Sequence, residues 1–334
     1  MTSTVKTNEL SQILAPIALD FKALDEVIRL RLASKVALID QISTYIIQAG
    51  GKRVRPALLL LVSKALANGK DTPHALELAA VVEFIHTATL LHDDVVDEST
   101  LRRGRETANA AFGNAASVLV GDFLYSRAFQ MMVGPNDLRV MEILSDATNT
   151  IAEGEVLQLL NMNDPEVDEA SYLQVIRYKT AKLFEASTEL GAILANATEL
   201  QRQQAAAFGR HIGTAFQLMD DLLDYTANAA QMGKNAGDDL REGKRTVLIA
   251  MTLEALNQSE QAELLSHLGR ADISEAKVEE LRALIVASGA LNKVEKLIEE
   301  LTQQSLAAIE DPAIHPSARE FLTYIALSAV KRSS

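Results

Sequence analysis

The stretch Leu90-Leu91-His92-Asp93-Asp94-Val95-Val96-Asp97 sets three carboxylates directly behind an apolar pair. On a helix, Asp93 and Asp97 lie one turn apart on one face, where like charges repel. Carboxylates are rarely fully buried without a partner. The pattern recurs downstream as Gln217-Leu218-Met219-Asp220-Asp221-Leu222-Leu223-Asp224. A single cluster of this kind fits a solvated helix end. Two copies, both embedded in apolar helix, do not. Hard divalent cations resolve the repulsion: magnesium takes carboxylate oxygens, keeps several waters and shares its shell with phosphates. Asp93, Asp94, Asp97, Asp220, Asp221 and Asp224 are therefore the candidate metal ligands.

If phosphate is the other ligand, cations should accompany the carboxylates. Leu101-Arg102-Arg103-Gly104-Arg105 follows the first cluster, and Gly233-Lys234 and Gly243-Lys244-Arg245 follow the second. Gly50-Gly51-Lys52-Arg53-Val54-Arg55-Pro56 lies between two helical stretches, and Tyr178-Lys179-Thr180-Ala181-Lys182 sits inside a helical pattern. Arginine forks grip phosphate oxygens in pairs and lysine acts as a point charge. Any one of these groups taken alone is an ordinary solvated surface; their pairing with the acidic clusters gives them meaning. Other chemistries find less support. Glu83-Phe84-Ile85-His86 matches half of a di-iron bundle signature, which needs a second copy that the chain lacks. There is no calcium-loop spacing, no phosphate-loop motif and no dinucleotide fingerprint. His86 alone reads as a core histidine, and Met131 and Met132 as core packing.

The elements that must position these groups are helical. The chain has 334 residues, 48% hydrophobic, with 7 prolines and 16 glycines, a composition that favours long helices around a large core. Aromatics are only 4%, so that core is aliphatic. Leu10, Ile13, Leu14 and Ile17, and again Leu291, Val294, Leu297, Ile298 and Leu301, follow helical spacing. Breaks fall at Gly50-Gly51, at 134–137, at 163–165 and at 311–316, with a longer irregular stretch over 227–245. These breaks do not resemble interdomain linkers, so the expectation is one all-α domain over 1–334 with ten or more helices. The net charge of −13 argues against nucleic acid as a partner. The lack of cysteine excludes disulfides and thiolate metal sites and fits a reducing compartment. With no signal peptide in view and no apolar run of about 18 residues, the expectation is a cytoplasmic protein without an integral membrane segment.

Two Asp-Asp-x-x-Asp motifs, the first followed by Arg-Arg-Gly, resemble those of the trans-isoprenyl diphosphate synthases, and Gly-Gly-Lys-Arg-x-Arg-Pro and Lys-Thr belong to the same pattern. The resemblance runs from about Leu10 to Arg332. Val82 through Ala128, with Gly154-Glu155-Val156-Leu157-Gln158, is particularly similar to the bacterial octaprenyl diphosphate synthases, which make the side chain of respiratory quinones. The resemblance implies mostly antiparallel helices around a deep central cavity, a homodimer, and successive condensation of isopentenyl diphosphate onto an allylic primer such as farnesyl diphosphate. It implies three magnesium ions, with manganese as an alternative, held by Asp93 and Asp97 on one side and Asp220 on the other, with Asp94, Asp221 and Asp224 in support. Arg102, Lys179 and Lys234 match positions that contact the allylic diphosphate, with Lys244 close by. Lys52, Arg55, His86 and Arg103 match those that hold isopentenyl diphosphate, and Thr180 and Gln217 those beside the allylic cation. One departure stands out: the family's frequent Lys-Pro-Thr is here Lys244-Arg245-Thr246.

Product length follows from what lies deeper than the first cluster. Thr89 and Ala88 sit four and five residues before Asp93, one turn further along a helix. Short-chain synthases often carry aromatics there, and small residues open the path for a growing tail. Phe123, Phe129, Met131 and Met132 on the next helix are candidate floor residues. The similarity favours an octaprenyl product, with nonaprenyl (solanesyl) the near rival. A terpene cyclase would usually replace the second motif and need no isopentenyl site, and a non-catalytic synthase subunit would lose its aspartates. This chain keeps both motifs and the Lys52/Arg55 pair.

Overall fold

The computed structural model describes residues 17–48, 50–51, 53–102, 104–162, 164, 167–226, 238–270, 272–310, 319–320, 322–323 and 326–327. In chain order the elements are α1 (Ala18–Leu32), α2 (Ala37–Gln48), α3 (Val54–Leu66), α4 (Ala75–Val96), β1 (Leu101–Arg102), β2 (Arg105–Glu106), α5 (Ala108–Phe112), α6 (Asn114–Met132), α7 (Leu138–Asn161) and α8 (Glu169–Ile176). A π-helical turn (Arg177–Ala181) follows, then α9 (Lys182–Leu194), α10 (Glu199–Thr226), α11 (Asp238–Glu242), α12 (Val247–Ala255), α13 (Gln258–His267), α14 (Glu275–Ala287) and α15 (Ala290–Ala308). The all-α expectation holds; among the described residues the only strands are the two-residue pair β1 and β2. The periodic residues Leu10, Ile13 and Leu14 lie outside the described part, while Ile17 is buried. Near the other end, Val294 and Ile298 are buried on α15, with Leu291, Leu297 and Leu301 packed beside them.

The chain divides into two compact units. The first is Met1–Thr148, Leu183–Gly209 and Leu306–Ile325; the second is Asn149–Lys182, Arg210–Ser305 and Ala326–Ser334. Within the first, α4 is the central element and packs chiefly on α6, then on α3 and α1. Its buried residues Leu78, Ala79, Val82, Ile85, Ala88 and Leu91 cover most of its circumference, as befits a helix enclosed on several sides. Each large aliphatic side chain buried this way contributes about 1.5–3 kcal/mol. The match to α6 comes from Ser117, Val120, Gly121, Leu124 and Ala128, buried at steps of three and four. Gly121 admits the His92 ring, whose Nε2 would clash with a Cβ placed there.

Within the second unit, α10 presents Ala215, Leu218, Met219, Leu222 and Tyr225 to a core completed by α12, α14 and α15. Val247 through Thr252 are all buried, so α12 has no solvent face over that length. Thr246 precedes it, directly after buried Arg245. Burial holds the Arg245 guanidinium below its usual range, opposed by the charge of Asp164. The irregular stretch expected over 227–245 contains α11 near its end; residues 227–237 lie outside the described part.

One described helix, α4, is long and apolar enough to cross a membrane by length and composition, a pattern that was not expected from the sequence. Half of its most apolar window is buried against the rest of the protein, and it ends in the first aspartate cluster, as a core helix can.

The tightest helix contact in the first unit generates a stability prediction. A Cβ on Gly191 of α9 would stand 2.7 Å from the Leu59 carbonyl oxygen and 3.0 Å from Val62 Cβ on α3. Backbone cannot yield as a long side chain does, so Gly191→Ala is expected to cost about 1–3 kcal/mol by overpacking. Thermal unfolding should show a lowered midpoint; an unchanged or raised midpoint would contradict the packing described.

Candidate active site

The first cluster occupies the last turn of α4. Asp97 ends the helix, its N–H donating to the Asp93 carbonyl at 2.7 Å. That end of a helix already carries negative partial charge, so three carboxylates there raise its free energy further. Asp93 and Asp97 are half-buried, but Asp94 is only 4% exposed. The chain then turns through Glu98 (φ 52°) and returns as the β1–β2 hairpin, with Gly104 in the left-handed region (φ 73°). The hairpin brings Arg102 back onto Asp94: Nε donates at 2.9 Å and 3.2 Å, and Nη2 at 2.6 Å. Asn109 Nδ2 donates to the Asp94 carbonyl at 3.0 Å and ties down the same turn. Burial works against the Arg102 charge, yet the hydrogen bonds to Asp94 and the charges of Asp93 and Asp97 hold its pKa above the usual value. Arg103 lies outside the described residues.

The second cluster occupies the last turns of α10. Asp220 is half-buried; Asp221 and Asp224 are each 4% exposed. Tyr172 on α8 donates its hydroxyl to Asp221 Oδ2 at 2.7 Å, and Gln217 Nε2 donates to Oδ1 at 2.9 Å. Burial and the nearby Asp239 push the Asp221 carboxyl up to about 8, while these two donors pull it the other way. Asp224 accepts from the Asp239 backbone N–H at 3.3 Å. Thr180 Oγ1 donates to Gln217 Oε1 at 3.0 Å, so the π turn joins the same network.

That π turn carries Lys179 and Thr180, and such turns are frequent at functional sites. Lys179 Nζ donates to Glu155 Oε2 at 2.5 Å. Gly154 makes the approach possible: a Cβ there would meet Lys179 N at 2.7 Å and Tyr178 Cβ at 2.8 Å. Lys244 pairs with Glu242, and Lys234 lies outside the described residues.

Of the isopentenyl candidates, Arg55 sets its guanidinium 4.5 Å from the centre of the Phe184 ring. His86 lines a cavity of about 50 Å³ in the first unit, with Gly50, Gly51, Glu83, Thr87 and Leu90 among its walls. Lys52 lies outside the described residues. Ala88 is fully buried, and Thr89 bonds back to the His86 carbonyl at 2.7 Å. Met131 and Met132 are buried, Phe123 is covered by the Arg127 guanidinium at 5.1 Å, and Phe129 is 41% exposed.

Tyr172, Glu155, Asn109 and Asp239 were not singled out from the sequence as site residues. Glu155 had a local signal, in the Gly154-Glu155 stretch. The others gain their place only through folding. Among the described residues no three Asp, Glu or His side chains already converge on a point that could hold an ion. The donor set is nonetheless carboxylate oxygen at half-buried positions, which suits a hard cation completed by phosphate and water.

The sequence profile of the polyprenyl synthetase family matches residues 36–285. Octaprenyl diphosphate synthase of Escherichia coli is 46% identical over 98% of this chain and 98% of its own. The geranyl-diphosphate-specific all-trans-nonaprenyl-diphosphate synthase of Rhodobacter capsulatus is 44% identical over 96% of this chain and 98% of its own. A crystal structure of a polyprenyl synthase from Caulobacter crescentus, complexed with calcium and isoprenyl diphosphate, superposes with a TM-score of 0.90 at 42% identity, covering 97% of this chain and 98% of that one. With its two aspartate-rich helix ends and these similarities over nearly its whole length, the chain belongs to the polyprenyl synthetase family.

Proposed function

We propose that this chain is a long-chain trans-polyprenyl diphosphate synthase. It adds isopentenyl units to an allylic primer, farnesyl diphosphate in this reading, and releases octaprenyl diphosphate for a quinone side chain such as that of ubiquinone. One observation carries the reading: both aspartate clusters are intact at helix ends, with Asp93, Asp97 and Asp220 half-buried rather than sealed in. A non-catalytic subunit has no use for such carboxylates. The nonaprenyl synthase of Rhodobacter capsulatus, nearly as similar as the octaprenyl enzyme, makes a nonaprenyl product the second reading.

Magnesium ions, three in this reading and replaceable by manganese, would be held by Asp93, Asp97 and Asp220 with Asp94, Asp221 and Asp224 in support, and would neutralise the leaving diphosphate. The calcium in the Caulobacter crescentus structure supports a divalent ion in this family. The chain's own cations Lys179, Arg102, Lys244 and Lys234 add fixed positive charge toward the allylic diphosphate, where such charge favours ionisation. Lys52, Arg55, His86 and Arg103 hold isopentenyl diphosphate. Thr180 Oγ1 and Gln217 Oε1, 3.0 Å apart, offer oxygen to the allylic cation. The isopentenyl double bond attacks that cation, and a proton then passes to the pyrophosphate. In this reading the whole chain is one catalytic domain, working in the cytoplasm as a homodimer. Exposed Leu119 and Val133 at α6 and Val156, Leu159 and Leu160 on α7 support contact with a second copy, since exposed apolar groups favour association.

The purified protein, given farnesyl diphosphate, labelled isopentenyl diphosphate and magnesium, is expected to yield octaprenyl diphosphate by mass, with turnover abolished by EDTA. Cyclised hydrocarbons or no condensation at all would overturn the assignment. Asp93→Ala and Asp220→Ala should each lower turnover by about a hundredfold or more while circular dichroism keeps the wild-type helical signal, because each removes a repelling carboxylate. Wild-type rates in either variant would remove these residues from metal binding. In Ala88→Phe, a ring replaces a methyl at a fully buried position little more than one turn from Asp93. Close-packed walls leave a tail no way round it, so products should stop near geranylgeranyl length while the first condensation survives. An unchanged long product from the folded variant would move the chain-length wall elsewhere.

A further inference from the structure

Asp221 belongs to the aspartate motif, yet its side chain is spent inside the protein. One oxygen takes the Tyr172 hydroxyl at 2.7 Å and the other the Gln217 amide nitrogen at 2.9 Å. In this placement both Asp221 oxygens accept. Gln217 therefore meets it with nitrogen and turns Oε1 the other way, where the Thr180 hydroxyl donates to it at 3.0 Å. The reverse amide orientation would forfeit the bond from Nε2 to Asp221. We propose that Tyr172 is a positioning residue for the condensation: by holding Asp221 it fixes the polarity of the Gln217 amide, so that the negative end of that dipole lies beside Thr180. The inference rests on the reading above, in which Thr180 and Gln217 face the allylic cation. An amide turned the other way would present N–H donors to that cation and oppose its formation.

Three elements place the four partners. Tyr172 comes from α8, Thr180 from the π turn, and Gln217 and Asp221 from successive turns of α10. Gln217 and Asp221 are four residues apart, so helix geometry alone stacks them. Tyr172 supplies what the helix cannot, a second donor that keeps the carboxylate from rotating. The contact has no counterpart at the first cluster, where an arginine fills that place.

The test is a double-mutant cycle in the full-length protein. Tyr172→Phe is expected to lower kcat about tenfold, roughly what one hydrogen bond of ordinary strength is worth, with KM for both substrates within about twofold. In a Gln217→Ala background there is no amide to orient, so adding Tyr172→Phe should cost nothing more. Equal losses in both backgrounds, or an unchanged kcat in Tyr172→Phe, would overturn the proposal in favour of a purely structural role. A second measurement does not depend on the variant folding. In the wild type the Gln217 side-chain NH₂ should exchange slowly with solvent by NMR, and a freely exchanging amide would overturn the proposal. A wild type inactive with farnesyl and isopentenyl diphosphates would refute the enzymatic reading instead, leaving the exchange measurement to judge the amide's orientation.

Discussion

Like charge gathered at the negative end of a helix is the constraint on which this structure turns. Asp93, Asp94 and Asp97 close α4; Asp220, Asp221 and Asp224 close α10. Coulomb repulsion and the helix dipole both oppose each arrangement. No packing requirement asks for it, since α4 and α10 are otherwise mostly apolar on their buried faces. Much of the surrounding architecture can be read as compensation: the β1–β2 hairpin delivers Arg102, α8 delivers Tyr172, and the start of α11 delivers the Asp239 N–H.

The compensation treats the first two aspartates of each cluster alike. The middle aspartate, Asp94 or Asp221, is buried and fully engaged by the chain's own donors. The leading aspartate, Asp93 or Asp220, remains half-buried. A buried carboxylate must be paired or hydrogen-bonded to be tolerated, so the middle residue suits anchoring and the leading one suits a ligand that comes and goes. The adjacent basic groups follow a similar logic: Lys179 on Glu155 and Lys244 on Glu242 are held near the site by partners that a polyanion can outbid.

Legibility from sequence tracked the range of the interactions. The helical class and both clusters could be read from spacing alone, because four-residue repeats are local. So could the helix at the far end, whose Val294 and Ile298 are buried. The hairpin was not anticipated: two residues per strand leave no alternation to detect, and only the Arg-Arg-Gly turn hints at it. The π turn at Arg177–Ala181 was also invisible, being one extra residue per turn within an unbroken helical pattern. Tyr172 could not be paired with Asp221 from sequence, since the two are 49 residues apart and nothing local links them. Composition does not separate two cases in one place, where α4 meets the criteria for a membrane span because a helix enclosed on several sides needs the same residues.

The two middle aspartates solve one problem with different chemistry, and the difference has a direction. Asp94 is met by a guanidinium, which stays charged throughout the range in which proteins fold. Asp221 is met by two neutral donors, and burial pushes it from 3.8 up to about 8. A carboxyl raised in this way contributes stability that is fully present below its unfolded value and lost as pH rises through its folded one. Near neutrality the second cluster therefore gives up much of that contribution. Any divalent ion that favours the ionised form recovers that stability on binding. The first cluster carries its own arginine and depends less on such help. The asymmetry lies in which partner each turn could recruit: a basic hairpin follows α4 directly, whereas α10 receives a tyrosine from α8, an element already committed to the apolar core around α12.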